Sequence, residues 1–128
     1  MKDERRGFGH KNLIVWKNTE ELIDLVCVRV LSMVPKTKFK LRDQIERATS
    51  SVGANLIEGY YSGSTNEFIR FLRYSRRSLA ELEFWISFCY KHKHISSDLF
   101  NYCSDLIIRT TYLFDRLIIS LLKKLSSA

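Results

Sequence analysis

The chain has 128 residues, a formal net charge of +7 and a hydrophobic fraction of 45%. With one proline and five glycines it has few chain breakers, which favours long helices over many short strands. No apolar run approaches the roughly 20 residues that span a bilayer, and the charged N-terminus lacks the hydrophobic stretch of a secretory signal. We therefore expect one cytoplasmic domain without a membrane partner.

The first predicted helix covers residues 13 to 34 and ends at Pro35, which cannot continue a helix. Its apolar residues, spaced three and four apart, are Val15, Thr19, Leu22, Ile23, Val26, Val30 and Val34. Residues 1 to 12 precede this pattern, so we expect a flexible tail over 1–12 and a bundle domain over 13–128. Arg5 and His10 have the spacing of a ribonuclease Arg–His pair, but we interpret it as coincidence because a tail cannot hold a catalytic geometry.

Three further helices are predicted. The second runs from 39 to 58, with Gly59 as a left-handed C-terminal cap. The third begins after Ser64, because Ser64-Thr65-Asn66-Glu67 is a capping box, and continues to 91. The fourth runs from 97 to 125. Connections of about six residues or fewer force neighbouring helices to be antiparallel, which predicts an all-α up-down-up-down four-helix bundle.

The three cysteines, Cys27, Cys89 and Cys103, fall on apolar helix stripes. We expect buried, reduced thiols, since free cysteine behaves as a small hydrophobic residue.

The third predicted helix has a basic outer face. At 3.6 residues per turn, Arg70, Arg73 and Arg77 lie opposite the apolar stripe, and Arg76 lies beside them. Arginine suits phosphate because its planar fork donates two parallel hydrogen bonds. The predicted nucleic-acid-binding residues are Arg70, Arg73, Arg76 and Arg77, helped by Lys36, Lys38, Lys40 and Arg42. Two alternatives stay open: a scaffold whose basic face meets an acidic protein, and an undetected helical nuclease.

Apolar residues also occur on outward faces. Phe84, Trp85 and Phe88 continue the outer face of the third helix, and the fourth helix carries Tyr112 and Ile119 beside its core stripe. Because large exposed apolar patches mark interfaces, these five residues predict a homo-oligomer interface.

A polar group is predicted between the second and third helices. Its members are Ser51, Asn55, Glu58, Ser78 and Glu81. A carboxylate in the last turn of a helix opposes the helix dipole, so Glu58 needs another reason to be there. We favour a structural network over a ligand site. The sequence has no Glu-x-x-His pair, zinc-spaced Cys and His cluster or Gly-rich phosphate loop, so we predict no catalytic residue, metal or cofactor.

Several motifs together resemble a known family. They are Leu13-Ile14-Val15-Trp16; Leu41, Gln44, Arg47-Ala48, Ser51, Asn55 and Glu58-Gly59; Glu67-Phe68 and Phe71-Leu72; and Ser78 to Glu83. This pattern is similar to that of the four helix bundle proteins also called 23S rRNA intervening-sequence proteins. The resemblance implies a small, non-catalytic protein that forms ring-like homo-oligomers, with pentamers as the expected size.

A related group resembles the accessory proteins of diversity-generating retroelements, which partner a reverse transcriptase and nucleic acid. The expected partners are therefore other copies of the chain and RNA or DNA, with a reverse transcriptase or another protein as the alternative.

Overall fold

The computed structural model describes residues 9–127, except for the side chain of Asn12, and every regular element in that range is helical. The elements are α1 (Ile14–Leu25), a π-helical turn (Val26–Val30), α2 (Leu31–Met33), α3 (Phe39–Tyr60), α4 (Thr65–Lys91) and α5 (Ser97–Ser126). The first three follow one another as a single rod, so four rods pack around one core. The predicted all-α four-helix architecture is confirmed.

The first rod is organised by its apolar stripe and by Pro35. Val15, Thr19, Leu22, Val26, Val30 and Val34 are buried as expected, and Ile23 is half-buried. Val34 is extended (φ −79°, ψ 128°), as the residue before a proline must be to avoid a clash. Arg42 of α3 donates to the Val34 carbonyl at 2.9 Å and also to the Leu31 carbonyl. The Arg42 guanidinium thus supplies hydrogen bonds to carbonyls that have no partner within the rod, at the negative end of its helix dipole.

The expectation of three buried thiols is right for two of them. Cys89 and Cys103 are buried, and burial raises the pKa of each to about 11. Cys27 is exposed. It lies in the π-helical turn, where Val26 and Val30 point inward and the residues between them face outward.

α3 and α4 are antiparallel and closely packed at Gly59. A Cβ built on Gly59 would lie 2.8 Å from the Cβ of Phe71 and 3.2 Å from the Phe68 carbonyl oxygen. The predicted left-handed cap at Gly59 is wrong, because α3 continues through it to Tyr60. The left-handed glycine of this connection is Gly63, with φ at +88°. Gly59 is therefore explained by space rather than by backbone conformation.

The start of α4 follows the predicted cap. The Ser64 hydroxyl accepts a hydrogen bond from the Glu67 backbone N–H at 3.1 Å. The Glu67 carboxylate, however, pairs with Arg70, which holds the pKa of that carboxyl below its usual value. Only the serine half of the capping box is thus observed.

Residues 9 to 12, assigned above to the tail, form a short 3-10 turn against the bundle. His10 is buried: its Nδ1 lies 2.9 Å from the Tyr61 hydroxyl and its ring meets the Trp16 ring edge-on, 4.8 Å between centroids. Within the predicted tail, residues 9–12 are therefore held against the bundle by the aromatic contacts of His10. Arg5 and the rest of residues 1–8 lie outside the described residues.

Among the described residues, no helix is both long enough and apolar enough to cross a bilayer.

The two helical glycines of α3 give a matched test of the tight packing. Gly59→Ala should lower the free energy of unfolding by about 1–3 kcal/mol, because overpacking against backbone and Cβ atoms cannot relax easily. Gly53→Ala should change the free energy of unfolding by no more than about 1 kcal/mol. Its new Cβ would come too close only to the movable Cδ1 of Ile23, at 2.9 Å, and its other neighbours lie at 3.6 Å or more. Urea denaturation of both variants measures the difference, and equal losses would contradict this account of Gly59.

Candidate nucleic-acid interface

The rotational setting of α4 decides which side chains face solvent. Leu72, Ser75 and Leu79 are completely buried. The buried Ser75 hydroxyl donates to the Val52 carbonyl of α3 at 2.8 Å, so this polar group lies inside without losing a hydrogen bond. Residues on the opposite side of α4, including Arg73 and Arg77, are therefore exposed.

Two of the four predicted arginines, Arg70 and Arg77, lie against Tyr74. The guanidinium carbons of Arg70 and Arg77 lie 5.6 and 5.4 Å from the Tyr74 ring centroid, within the range of cation–π attraction. Arg70 also donates to the Tyr74 hydroxyl at 3.2 Å and to the Glu67 carboxylate at 2.7 Å. With Arg73 these side chains line an open cavity of about 360 Å³, named here the arginine cleft.

The arginine cleft extends to the end of α5. Its remaining lining residues are Asn66, Ile69, Leu122 and Leu125, so none of the described lining residues is a carboxylate. Arg73 has no carboxylate partner in the described structure and keeps its donors toward solvent. The cleft thus combines cationic donors, one aromatic ring and an apolar wall, which suits an anionic ligand.

Arg76 has a different role from its neighbours. Its Nε donates to Asp115 of α5 at 2.8 Å, and both side chains are partly exposed. The pair connects α4 to α5 and turns Arg76 away from Tyr74. An exposed pair of this kind contributes less than about 1 kcal/mol.

The predicted basic residues outside α4 lie elsewhere. Lys36, Lys38 and Lys40 are exposed around the start of α3. Because α3 and α4 are antiparallel, this region adjoins the C-terminal end of α4 and does not line the arginine cleft. Arg42 is occupied by the carbonyls at the end of the first rod. The structure therefore does not bring the eight predicted residues together on one surface.

The five predicted interface residues also form two groups. Phe84 is 58% exposed, whereas Trp85 and Phe88 are half-buried, and the Trp85 indole N–H donates to Glu81 at 3.2 Å. Tyr112 and Ile119 lie on one outer stripe of α5. The Tyr112 side chain is 57% exposed. The stripe comprises Ile108, Tyr112, Ile119 and Leu122.

The polar network between α3 and α4 contains three of its five predicted members, Ser51, Asn55 and Ser78. Ser78 donates to the Ser51 hydroxyl at 2.9 Å, and the Asn55 amide donates to the same hydroxyl at 3.0 Å. Glu81 pairs with Arg47 of α3 instead of with these groups. Glu58 does not belong to the network: its side chain is exposed and has no hydrogen-bond partner among the described residues, because it points past the α3–α4 contact.

Sequence reasoning missed Tyr74 and Arg47. An aromatic residue three or four positions from two arginines on one helix is a usable signal, because such pairs are neighbours on the helix surface. Arg47 has no such signal, since its partner Glu81 belongs to another helix. Residues 9–127 contain no group of three or more His, Cys, Asp or Glu side chains placed to hold a metal ion.

Ser51 and Glu58 provide a test of the corrected network. Ser51→Ala should lower the free energy of unfolding by about 1–2 kcal/mol, because the Ser78 hydroxyl loses its acceptor and the Asn55 amide keeps only the Ser51 carbonyl. Glu58→Ala should stay within about 0.5 kcal/mol of the parent, as expected for an exposed side chain without contacts. Urea denaturation measures the free energy of unfolding of both variants. A larger decrease in Glu58→Ala than in Ser51→Ala would show that Glu58 does belong to the network.

Comparison with solved structures supports the fold. The chain is similar to the crystal structure of a protein of unknown function from the S23 ribosomal protein family of Bacteroides thetaiotaomicron, with a TM-score of 0.76 and 22% sequence identity. The match covers 82% of this chain and 95% of that one. A search of curated proteins returned no match.

Comparison with family models identifies the group to which the sequence belongs. The model of the 23S rRNA-intervening sequence protein matches residues 11–115, which include the first rod, α3, α4 and most of α5. The predicted resemblance is confirmed, and the chain belongs to the 23S rRNA-intervening sequence protein family.

Proposed function

We propose that this chain is a binding protein rather than an enzyme, that it assembles with copies of itself, and that it binds nucleic acid through the arginine cleft. The observation that carries the proposal is the arrangement of Arg70 and Arg77 around Tyr74, with Arg73 alongside. Arginine offers phosphate a bidentate donor, and an aromatic ring offers a base a stacking surface.

The charge of the whole chain supports the same partner. A net charge of +7 attracts any polyanion and speeds its approach. Bulk charge alone does not distinguish a nucleic acid from an acidic protein such as a reverse transcriptase subunit. The open shape of the cleft and its aromatic ring favour a nucleic acid, which presents phosphates and flat bases at repeated positions. Phosphate contacts carry no sequence information, so we expect sequence-tolerant binding.

Self-assembly is proposed through the outer stripe of α5. Four large apolar side chains follow one another there at helical spacing, and such a stripe is costly to leave in water. Leu122 belongs both to the stripe and to the arginine cleft, so assembly would place clefts near subunit boundaries. The family resemblance motivates a closed pentameric ring. Repeating a weak cationic site around a ring raises the overall affinity by multivalency.

Nucleic-acid binding is tested with two charge-matched double variants. We expect Arg73→Gln/Arg77→Gln to weaken binding of a fluorescent RNA or DNA oligonucleotide and to reduce the slope of log affinity against log salt by about 1.4–1.8, for two lost phosphate contacts. Arg109→Gln/Arg116→Gln removes the same charge from exposed positions on α5 and should have a much smaller effect. Anisotropy at low and moderate salt measures both. An equal loss of affinity in both double variants would mean that the net charge of the chain, and not the cleft, attracts the nucleic acid. A parent that binds neither polymer at low salt would favour an acidic protein partner.

Assembly is tested by placing charge on the α5 stripe. Tyr112→Asp/Ile119→Asp should convert a multimer into a monomer near 15.1 kDa, because buried unpaired carboxylates oppose association. Ile14→Asp/Val28→Asp places two carboxylates on exposed apolar residues of the first rod and should leave the multimer intact. Light scattering gives the mass, and circular dichroism checks folding. A parent of monomer mass at micromolar concentration contradicts assembly, and a closed number other than five contradicts only the pentamer.

A further inference from the structure

A second open cavity, of about 550 Å³, lies between the start of α3 and the end of α4. Its apolar part consists of Phe39, Leu41 and Phe88. Phe39 is 67% exposed, which is unusual for a phenylalanine in a monomer. The Phe88 ring lies against the His92 ring, with centroids 4.2 Å apart and planes inclined by 35°. We name this cavity the aromatic groove. It presents aromatic faces to a flat, apolar occupant.

Two lysines make one side of the aromatic groove's rim cationic. These are Lys38 and Lys40, with the imidazoles of His92 and His94 on the other side, and none of the described residues that line the groove is a carboxylate. The occupant should therefore carry negative charge beside its flat apolar part. A second copy of this chain, which has the same net charge of +7, is a poor match for such a rim.

The backbone turn after α4 places both histidines at the groove. Lys93 adopts a left-handed conformation with φ at 62°, where glycine is usual. The Lys93 N–H donates to the Tyr90 carbonyl at 3.1 Å and the His94 N–H to the Cys89 carbonyl at 2.8 Å. This tight closure brings His94 back beside His92. These two bonds are those of a Schellman helix ending, with Lys93 at the position where glycine is usual.

We propose that the aromatic groove binds one unstacked base of a single-stranded nucleic acid, with the base against Phe39 and the Phe88–His92 pair and the neighbouring phosphate on Lys38 and Lys40. This inference rests on the proposed function and adds to it the strand state of the ligand. A base inside a duplex is stacked and paired, so it cannot enter the groove. Stacking on aromatic side chains tolerates any base, in keeping with a site that offers no fixed pattern of base-edge contacts.

The aromatic groove and the arginine cleft both include residues of α4. Arg77 and Phe88 are eleven positions apart on α4, or about 16 Å at 1.5 Å per residue. The exposed ring of Phe84 lies between them on the outer side. A short single strand that follows α4 can therefore place phosphates on the arginines and a base in the groove.

The test uses Phe39→Leu, which keeps an apolar side chain but removes the aromatic face. Because Phe39 is largely exposed, the variant should fold normally. Tyr102→Leu makes the same kind of change at an exposed aromatic residue of α5, away from the groove. Anisotropy is measured with a fluorescent single-stranded RNA and with the same sequence as a duplex. Phe39→Leu should lower single-strand affinity by about 5- to 100-fold and leave duplex affinity unchanged, while Tyr102→Leu changes neither.

Parental affinity in Phe39→Leu for the single strand would overturn the proposal, as would an equal loss on the duplex. Polyglutamate is the probe for an acidic protein partner. If it binds the parent as tightly as the single strand does and loses affinity in Phe39→Leu, the groove is a protein-docking site and the base is the wrong occupant.

A smaller probe separates the groove from the proposed function. In the parent, AMP should shift the NMR amide signals of residues 92 to 94 at concentrations at least tenfold lower than ribose 5-phosphate requires, and Phe39→Leu should abolish that difference. If the parent binds no oligonucleotide but still binds AMP in this way, the proposed function fails and the groove assignment stands. Equal binding of AMP and ribose 5-phosphate, or no binding of either, overturns the groove.

Discussion

The buried hydrogen bond from Ser75 to the Val52 carbonyl constrains the rest of the molecule. A buried hydroxyl must have a partner, so α4 is held at one rotation and one height against α3. Ser51 and Ser78 hydrogen bond along the same seam, and Gly59 lets the two helices approach where any Cβ would collide. Once this pairing is set, helix geometry determines which of the remaining residues of α4 face outward.

That outward face gives α4 two chemically different halves. Its N-terminal half carries the arginine cleft, in which Arg70 and Arg77 lie against the Tyr74 ring and Arg73 lines the same cavity. Its C-terminal half carries Phe84 and Phe88 and ends at the aromatic groove, where the Phe88 ring lies against the His92 ring. Neither half belongs to the core of the subunit. Both stay outside because the inner side of α4, with Leu72, Ser75 and Leu79, already fills the contact with α3.

The charged groups separate into structural and available ones. Arg42 satisfies carbonyls at the end of the first rod, Arg47 pairs with Glu81, and Arg76 pairs with Asp115. These contacts lie at helix junctions, where a long side chain can reach a neighbouring element. Arg73 and Arg77 point away from every junction and have no carboxylate partner in the described structure. The net charge of the chain therefore overstates the charge available at any one surface.

The sequence by itself determined the helices, because their limits depend on local chemistry. Pro35 lacks a donor and forces Val34 into an extended conformation, and Ser64 caps the first turn of α4. Spacing of three and four residues likewise identified the core stripe and the outward position of the arginines. The Ser51, Asn55 and Ser78 contacts were also predictable, since these polar residues fall on the sides of α3 and α4 that had to meet.

Only the tertiary structure decided which partner each side chain contacts, because those partners are distant in the chain. Arg42 and Arg76 look like their neighbours in sequence, and they differ only because carbonyls or a carboxylate from another helix lie within reach. The sequence predicted a helix end at Gly59, but this glycine is a contact point with α4. It predicted a tail at His10, but Trp16 and Tyr61 bury that side chain. The aromatic groove joins residues around 39 to residues around 90, which approach each other only because α3 and α4 are antiparallel.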